Sequence, residues 1–357
     1  MYRFASPEPP DLNLILHAVP GAVWESLRNA RLFVTGGTGF FGAWMARSFC
    51  HVNERLGLNA RMTILVRDLA RAQAANPDLA PAPAVLFAPG DITSFDFPEG
   101  RYTHCLHLAT QSIEPRSPAN ALRKVQTNIA GTLRVLSFAA QSGVQRFLYT
   151  SSGAVYGPQP PDLSHLPEGQ ALVCDPGNPH EAYAVEKRTC EFLCIQAGSA
   201  AGFETSVARC FAFVGPGLPL DSNYAVGNFI RDALARRPIV IQGDGRPWRS
   251  YLHAADLCVW LWTLLADGRH GRPVNVGSDQ AIDILSLAHL VNELAASDAG
   301  VKVLGQSDGR PPPRYVPSIR RAQEELGLRV SLPLGEALQR TIDFYLNADN
   351  NRRGTAS

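Results

Sequence analysis

Short apolar runs recur along the chain, separated by longer stretches with helical spacing. Leu32–Thr35, Met62–Val66, Val85–Ala88, Cys105–Leu108, Arg146–Thr150 and Glu204–Arg209 read as buried strands. Ala43–Phe49, Asn120–Ser142 and Glu181–Ala197 read as helices, and Gly143 stops the second of them. Strands alternating with helices predict a doubly wound parallel α/β sheet. After Arg209 the pattern loosens into the loops GPGLPL and QGDGRPW, around a helix predicted over Asn228–Arg236. Before the first strand, residues 1–30 form an extension. Its Leu12, Leu14, Ile15, Leu16, Val19, Val23, Trp24 and Leu27 carry enough apolar surface to pack on the body.

The first strand runs directly into three spaced glycines, RLFVTGGTGFFG. Gly36 allows a sharp turn off the strand, Gly39 lets backbone approach a pyrophosphate, and Gly42 lets the following helix pack on the sheet. Thr38, Phe40 and Phe41 complete the loop. Phosphates are held there by the positive end of the helix. A dinucleotide cofactor is therefore expected.

Composition narrows the class. In 357 residues the formal net charge is +1, which argues against a nucleic-acid partner. The seven cysteines (Cys50, Cys105, Cys174, Cys190, Cys194, Cys210 and Cys258) include no C-x-x-C pair. They read as buried thiols in a reducing compartment, with Cys190 and Cys194 as packing residues and no metal site. MYRFASPEPPD lacks the apolar core of a signal peptide, and Leu257–Ala266 is too short to span a bilayer. A soluble, cytoplasmic protein with no membrane partner is expected.

Chemistry enters with YAVEK, where Tyr183 and Lys187 stand four residues apart on one predicted helix face. A phenol with a pKa of about 10 is a poor base at neutral pH. A neighbouring ammonium favours the phenolate and lets it exchange a proton with a substrate hydroxyl. Ser152, in TSSGAVYG, ends a predicted strand on the same sheet edge, where its hydroxyl can bridge the substrate oxygen and Tyr183.

GGTGFFG, TSSGAVYG and YAVEK together resemble the extended short-chain dehydrogenase/reductase family, in its nucleotide-sugar epimerase and dehydratase branch, from about Arg31 to Tyr345. The resemblance implies a Rossmann-type doubly wound parallel sheet with a smaller C-terminal α/β substrate-binding lobe. Residues 31–210, with 247–277 returning to them, would bind the dinucleotide. Residues 211–246 and 278–346 would bind substrate, and 347–357 would be a tail. The same resemblance assigns Ser152, Tyr183 and Lys187 to catalysis, and Asp91 and Ile92 to the adenine. Leu108, Ala109 and Thr110 after the fourth strand, Asn128 in N-x-x-G-T, and Thr150 would also line the cofactor. For substrate it implies Asn228 and Phe229 at the nucleobase and Arg249 at the diphosphate. Arg310 or Arg314 would be a second diphosphate arginine, with Arg310 taken as the match.

The implied partner is a nucleotide-diphosphate sugar, oxidised transiently at C4. Dehydratases of the branch carry acids after the serine or threonine, and decarboxylases use a nearby glutamate; here Gly153 and Ala154 follow Ser152. Ala212 stands where related epimerases usually have asparagine. An epimerase is the leading expectation, an NADPH-dependent 4-keto-sugar reductase the alternative, with a dehydratase behind both. A cofactor-binding regulatory protein is the reading from another class, disfavoured by the complete Ser152, Tyr183 and Lys187 set. The cofactor is NAD or NADP. Arg67 precedes Asp68 at the end of the second strand and favours NADP, since a guanidinium pairs with the 2′-phosphate. The resemblance further implies a homodimer paired through the two long helices, Asn120–Ser142 and Glu181–Ala197.

Overall fold

The computed structural model describes residues 9–110, 118–171, 175, 177–221 and 224–354; Cys174 lies outside them. Strands β1 (Arg31–Thr35), β2 (Arg61–Val66), β3 (Val85–Pro89), β4 (His104–His107), β5 (Arg146–Ser152) and β6 (Glu204–Cys210) join the edge strand Val274–Val276 in one sheet. Its order is β3-β2-β1-β4-β5-β6 and then the edge strand, with every pairing parallel. The direction of strand addition reverses between β1 and β4, which makes their carboxyl ends the switch point where such sheets bind ligands.

Successive residues of β1 feed opposite faces, as the strand period of two requires. Phe33 joins Phe95, Tyr102, Phe138 and Phe147 in the core under α5 (Pro118–Ser142) and α6 (Ala182–Ala201). Leu32 and Val34 enter the opposite core, beneath α3 (Phe40–Leu56) and α8 (Ala254–Asp267). The most apolar run of the chain thus becomes α8, a helix buried on all sides except at its end. A helix apolar all round needs a second cover. The extension supplies it through α1 (Pro9–Ala18) and α2 (Gly21–Glu25), which pack on α8. Trp24 lies 5.7 Å from Trp262, whose indole donates to Ser48 at 3.0 Å, and Asp11 pairs with Arg340.

A further core gathers Val226, Phe229, Ile230, Leu287, Val291, Leu338 and Ile342 from α7 (Ala225–Leu234), Ile284–Leu294 and Leu334–Gly354. Beside it, Trp248–Arg249 pairs with Ile282–Asp283 and with Arg314–Tyr315. The spacing predicted helices from Ala43 and over Asn228–Arg236. Instead α3 starts at Phe40, inside the glycine loop, and α7 spans Ala225–Leu234, with Arg236 left-handed at φ 54°. The last helix continues to Gly354, through much of the segment expected as a tail.

Glu191 on α6 holds Arg209 of β6 through two hydrogen bonds, 2.8 and 3.0 Å, with both side chains about 5% exposed. Removing the charge of one partner strands the other in the interior. Glu191→Gln should therefore cost about 3 kcal/mol, read as a lower urea midpoint with an unchanged slope.

Candidate active site

The site starts at the turn after β1. Gly36 is left-handed, at φ 71°, and a Cβ there would lie 2.7 Å from the Ala109 backbone nitrogen. At Gly42 a Cβ would lie 2.3 Å from the Gly36 carbonyl oxygen. Both glycines are thus required by the protein's own packing. Gly39 is not: its φ of −80° and ψ of 178° suit any residue, and a Cβ would meet only the Gly36 oxygen, at 3.4 Å. Gly39 is also the N-cap of the 17-residue α3, and no side chain caps that end. The open face above Gly39, with exposed Thr38 beside it and Phe40 and Phe41 opening the helix, fits a pyrophosphate. The residues present therefore suit a dinucleotide.

Neighbouring strand ends complete the cradle. Thr35 bonds His107 at 2.7 Å, and the far nitrogen of that ring bonds Thr132 at 2.9 Å. Burial pushes His107 down to about 3, so it is a neutral strut. The Ala109 N–H donates to Thr35 at 3.3 Å. Leu108 is buried, whereas Thr110 is exposed and accepts from the Asn128 amide at 3.4 Å. Ile92 rests where a Cβ on Gly131 would be, 2.9 Å away, which accounts for the glycine of N-x-x-G-T. Asp91 accepts twice from Thr93, and those bonds hold its carboxyl below the usual range. At the end of β2, Asp68 caps α4 (Leu69–Ala75) by accepting from the Arg71 N–H at 2.9 Å, and Arg67 is exposed.

Ser152, Tyr183 and Lys187 converge beyond β5. The Lys187 ammonium, 2% exposed, donates to the Thr150 carbonyl at 2.9 Å. It lies 4.9 Å from the centre of the Tyr149 ring and 5.8 Å from that of Tyr183. Thr150 in turn donates its hydroxyl to the His107 carbonyl at 3.2 Å. The Ser152 hydroxyl accepts from the Ala154 N–H at 3.1 Å and lies close enough to the Tyr183 and Tyr315 phenols to favour the ionised form of each. Burial, then the neighbouring Tyr315, pushes Tyr183 above the usual phenol range, while the Ser152 hydroxyl works the other way. Burial pushes Lys187 down.

A cleft of about 280 Å³ opens beside these groups, walled by Ala154, His180, Glu181, Tyr183 and Tyr315. A larger depression, about 350 Å³, lies near Arg269, Arg272 and Glu325. It contains none of the groups that converge on Tyr183, and its Arg272 is already paired with Glu325. Tyr315 is the resident that spacing alone missed. It follows a run of prolines that blurs the register, and its side chain explains Gly153, where a Cβ would lie 2.7 Å from both the Tyr315 hydroxyl and the Phe211 ring.

The substrate candidates fall unevenly. Arg249 is half-buried in a short strand opposite Tyr315, donates to the Trp248 carbonyl at 2.7 Å, and places its charge near the Tyr315 phenol. Asn228 bonds Arg231 at 3.0 Å, and Phe229 is buried in the core around α7. Arg310 is 85% exposed and pairs with Asp308, whereas Arg314 lies in the strand beside Trp248, 4.8 Å above its ring. Ala212 is half-buried and accepts from the Leu252 N–H at 3.0 Å. Cys190 and Cys194 are buried on α6.

These features define a dinucleotide-binding α/β protein with a serine, tyrosine and lysine gathered at its switch point. Residues 32–277 match the model of the NAD-dependent epimerase/dehydratase family, and the chain belongs to that family. It is 28% identical to UDP-glucuronic acid decarboxylase 1 of Xenopus tropicalis over 318 residues, 88% of this chain and 72% of that protein. It is 29% identical to UDP-glucuronic acid decarboxylase 6 of Arabidopsis thaliana over 316 residues, 87% of each. Among solved structures it is similar to DesIV, the dTDP-glucose 4,6-dehydratase of Streptomyces venezuelae, seen with NAD and TYD bound. There the TM-score is 0.75 at 26% identity, over 90% of this chain and 98% of that one. The fold is shared with a UDP-N-acetylglucosamine 4-epimerase from Methanobrevibacter ruminantium, seen with UDP-N-acetylmuramic acid, at TM-score 0.77 and 22% identity over 90% and 99%. No helix among the described residues is long and apolar enough to cross a membrane.

The contrast between glycines gives a test. Gly39→Ala should keep stability within about 1 kcal/mol yet weaken NAD binding to the cofactor-stripped protein at least about tenfold. Gly42→Ala should lose about 1–3 kcal/mol outright. Calorimetric titration beside urea unfolding separates the two.

Proposed function

We propose that this chain is an NAD(P)-dependent nucleotide-sugar epimerase that works through a transient 4-keto-sugar. The observation that carries this reading is the convergence of Ser152, Tyr183 and Lys187 beside a cleft, with no acid or base at the two positions that follow the strand-end serine, Gly153 and Ala154. That absence supports epimerisation over the elimination and decarboxylation carried out by named relatives.

In this mechanism Tyr183 takes the proton from the C4 hydroxyl while Ser152 holds that oxygen in line. Loss of the proton and of the C4 hydride makes the ketone. The nicotinamide, when bound, supplies the hydride acceptor and, on return, the donor. Lys187 keeps positive charge beside the phenol and would also hold the nicotinamide ribose. After the keto-sugar turns over in the cleft, Tyr183 would give the proton back to the C4 oxygen, with Ser152 again holding that oxygen in line. Gly36, Thr38, Gly39, Phe40, Phe41 and Gly42 would hold the pyrophosphate. Asp91 and Ile92 would face the adenine, and Leu108, Ala109, Thr110, Asn128 and Thr150 the remainder of the cofactor.

Residues 211–246 and 278–346 would then receive the substrate. Arg249 would bind the diphosphate, with Arg314 better placed than exposed Arg310 to assist it. The nucleobase would be met at the α7 end, near Asn228 and Phe229. A homodimer would cover Leu122, Leu133 and Phe192, which α5 and α6 leave exposed.

One observation favours a second reading. Asp68 is committed to its helix cap, so Arg67 is the side chain free to meet a 2′-phosphate at the end of β2. That suits NADP and permits a 4-keto-sugar reductase.

Incubation with UDP-, dTDP-, GDP- and CDP-sugars should yield an isomeric nucleotide sugar without net change at 340 nm, and Tyr183→Phe should abolish it while still binding cofactor. Stoichiometric loss of NADPH with a 4-keto-sugar would move the assignment to the reductase. Normal turnover by Tyr183→Phe would contradict the mechanism in either form.

A further inference from the structure

Between Tyr183 and Lys187 in sequence stands a carboxylate that the mechanism above does not use. Glu186 is 1% exposed. Its Oε2 accepts from the Asn128 amide at 2.9 Å, and its Oε1 accepts from the Cys190 thiol at 3.7 Å. An acid on a helix usually faces water, and a buried one is costly unless it is hydrogen-bonded and opposed by positive charge. Asn128 provides the first condition, reaching across from α5. Lys187 provides the second. Burial pushes the Glu186 carboxyl up; the Lys187 charge, then the Asn128 amide, work against that, and the carboxylate in turn works against the burial that pushes Lys187 down.

Among the described residues, no other neighbour supplies that counter-charge. Glu186 is faced on α6 by Tyr183, Lys187 and Cys190, from α5 by Asn128, and from β5 by Tyr149. Lys187 further faces His107 of β4, Cys210 of β6 and Cys194. Burial holds His107 neutral and pushes Tyr149 and all three thiols upward, so they too are neutral near pH 7. Among the described residues that face Lys187, only Glu186 can be an anion at that pH.

We propose that Glu186 is a positioning residue: its carboxylate, oriented by Asn128, is the fixed anion that keeps buried Lys187 protonated and so lets Lys187 act on Tyr183. Asn128 thereby has a task in the protein itself besides any contact with cofactor. The inference rests on Lys187 and Tyr183 being the reacting pair, but its test needs no substrate. Removing an anion lowers the pKa of an adjacent ammonium, so the direction of the effect is fixed in advance.

The chain contains only three lysines, Lys124, Lys187 and Lys302, which makes the measurement direct. Purified protein carrying 13Cε-labelled lysine is titrated by NMR, with Lys187→Arg assigning the resonance. In Glu186→Gln the Lys187 midpoint should fall by about one unit or more, and in Glu186→Asp it should return toward wild type. An unmoved Lys187 midpoint in folded Glu186→Gln overturns the proposal. Should that variant fail to fold, 13Cδ-glutamate labelling of the wild type decides, with Glu186→Asp as the assignment. The Glu186 carboxyl must be ionised at pH 7, and a carboxyl still protonated there overturns the proposal. Turnover by Tyr183→Phe bears on the proposed function alone, so the two failures are distinguishable.

Discussion

Lys187 brings an amine inside the protein, where burial works against its charge, and much of the candidate site is arranged around holding it there. An ammonium taken from water loses several kcal/mol of hydration, and one backbone carbonyl, that of Thr150, returns part of it through a 2.9 Å hydrogen bond. That bond requires β5 to end where it does and α6 to lie across it. The faces of Tyr149 and Tyr183 accept the charge from two further sides. Thr150 is tied back to β4 through the His107 carbonyl, and His107 is tied to β1 through Thr35. Lys187 and the glycine turn are therefore parts of one buried polar frame spanning β1, β4 and β5.

That frame explains which residues were legible in the sequence. Gly36, Gly42, Tyr183 and Lys187 are dictated by backbone turns and by helix periodicity, both of which leave regular spacings. Ser152 is legible for the same reason, since a strand end is fixed by the run that precedes it. Tyr315 was not, because it belongs to a two-residue strand after several prolines, and a strand so short has no periodicity. Glu186 was hidden differently: a glutamate in a helix reads as a solvent-facing charge, and only the packing of α5 on α6 buries it. The choice between Arg310 and Arg314 likewise depended on a strand pairing that no local pattern encodes.

The extension and the glycine loop show the same division. The apolar residues of the extension announced that it would pack somewhere, and their spacing could not say where. The answer lies in α8, whose uniformly apolar surface needs cover on the side away from the sheet. The glycine loop differed from expectation by having α3 begin at Phe40. That shift matters chemically, because it brings the uncapped end of a long helix directly over the open face of Gly39.

On the proposed function, this frame holds a dinucleotide that is reduced and reoxidised in place. Denaturing the purified protein and identifying what it releases is the decisive measurement. Close to one oxidised NAD or NADP per chain is expected. A protein that releases no dinucleotide, and that takes up neither NAD(H) nor NADP(H) from solution, would contradict that function.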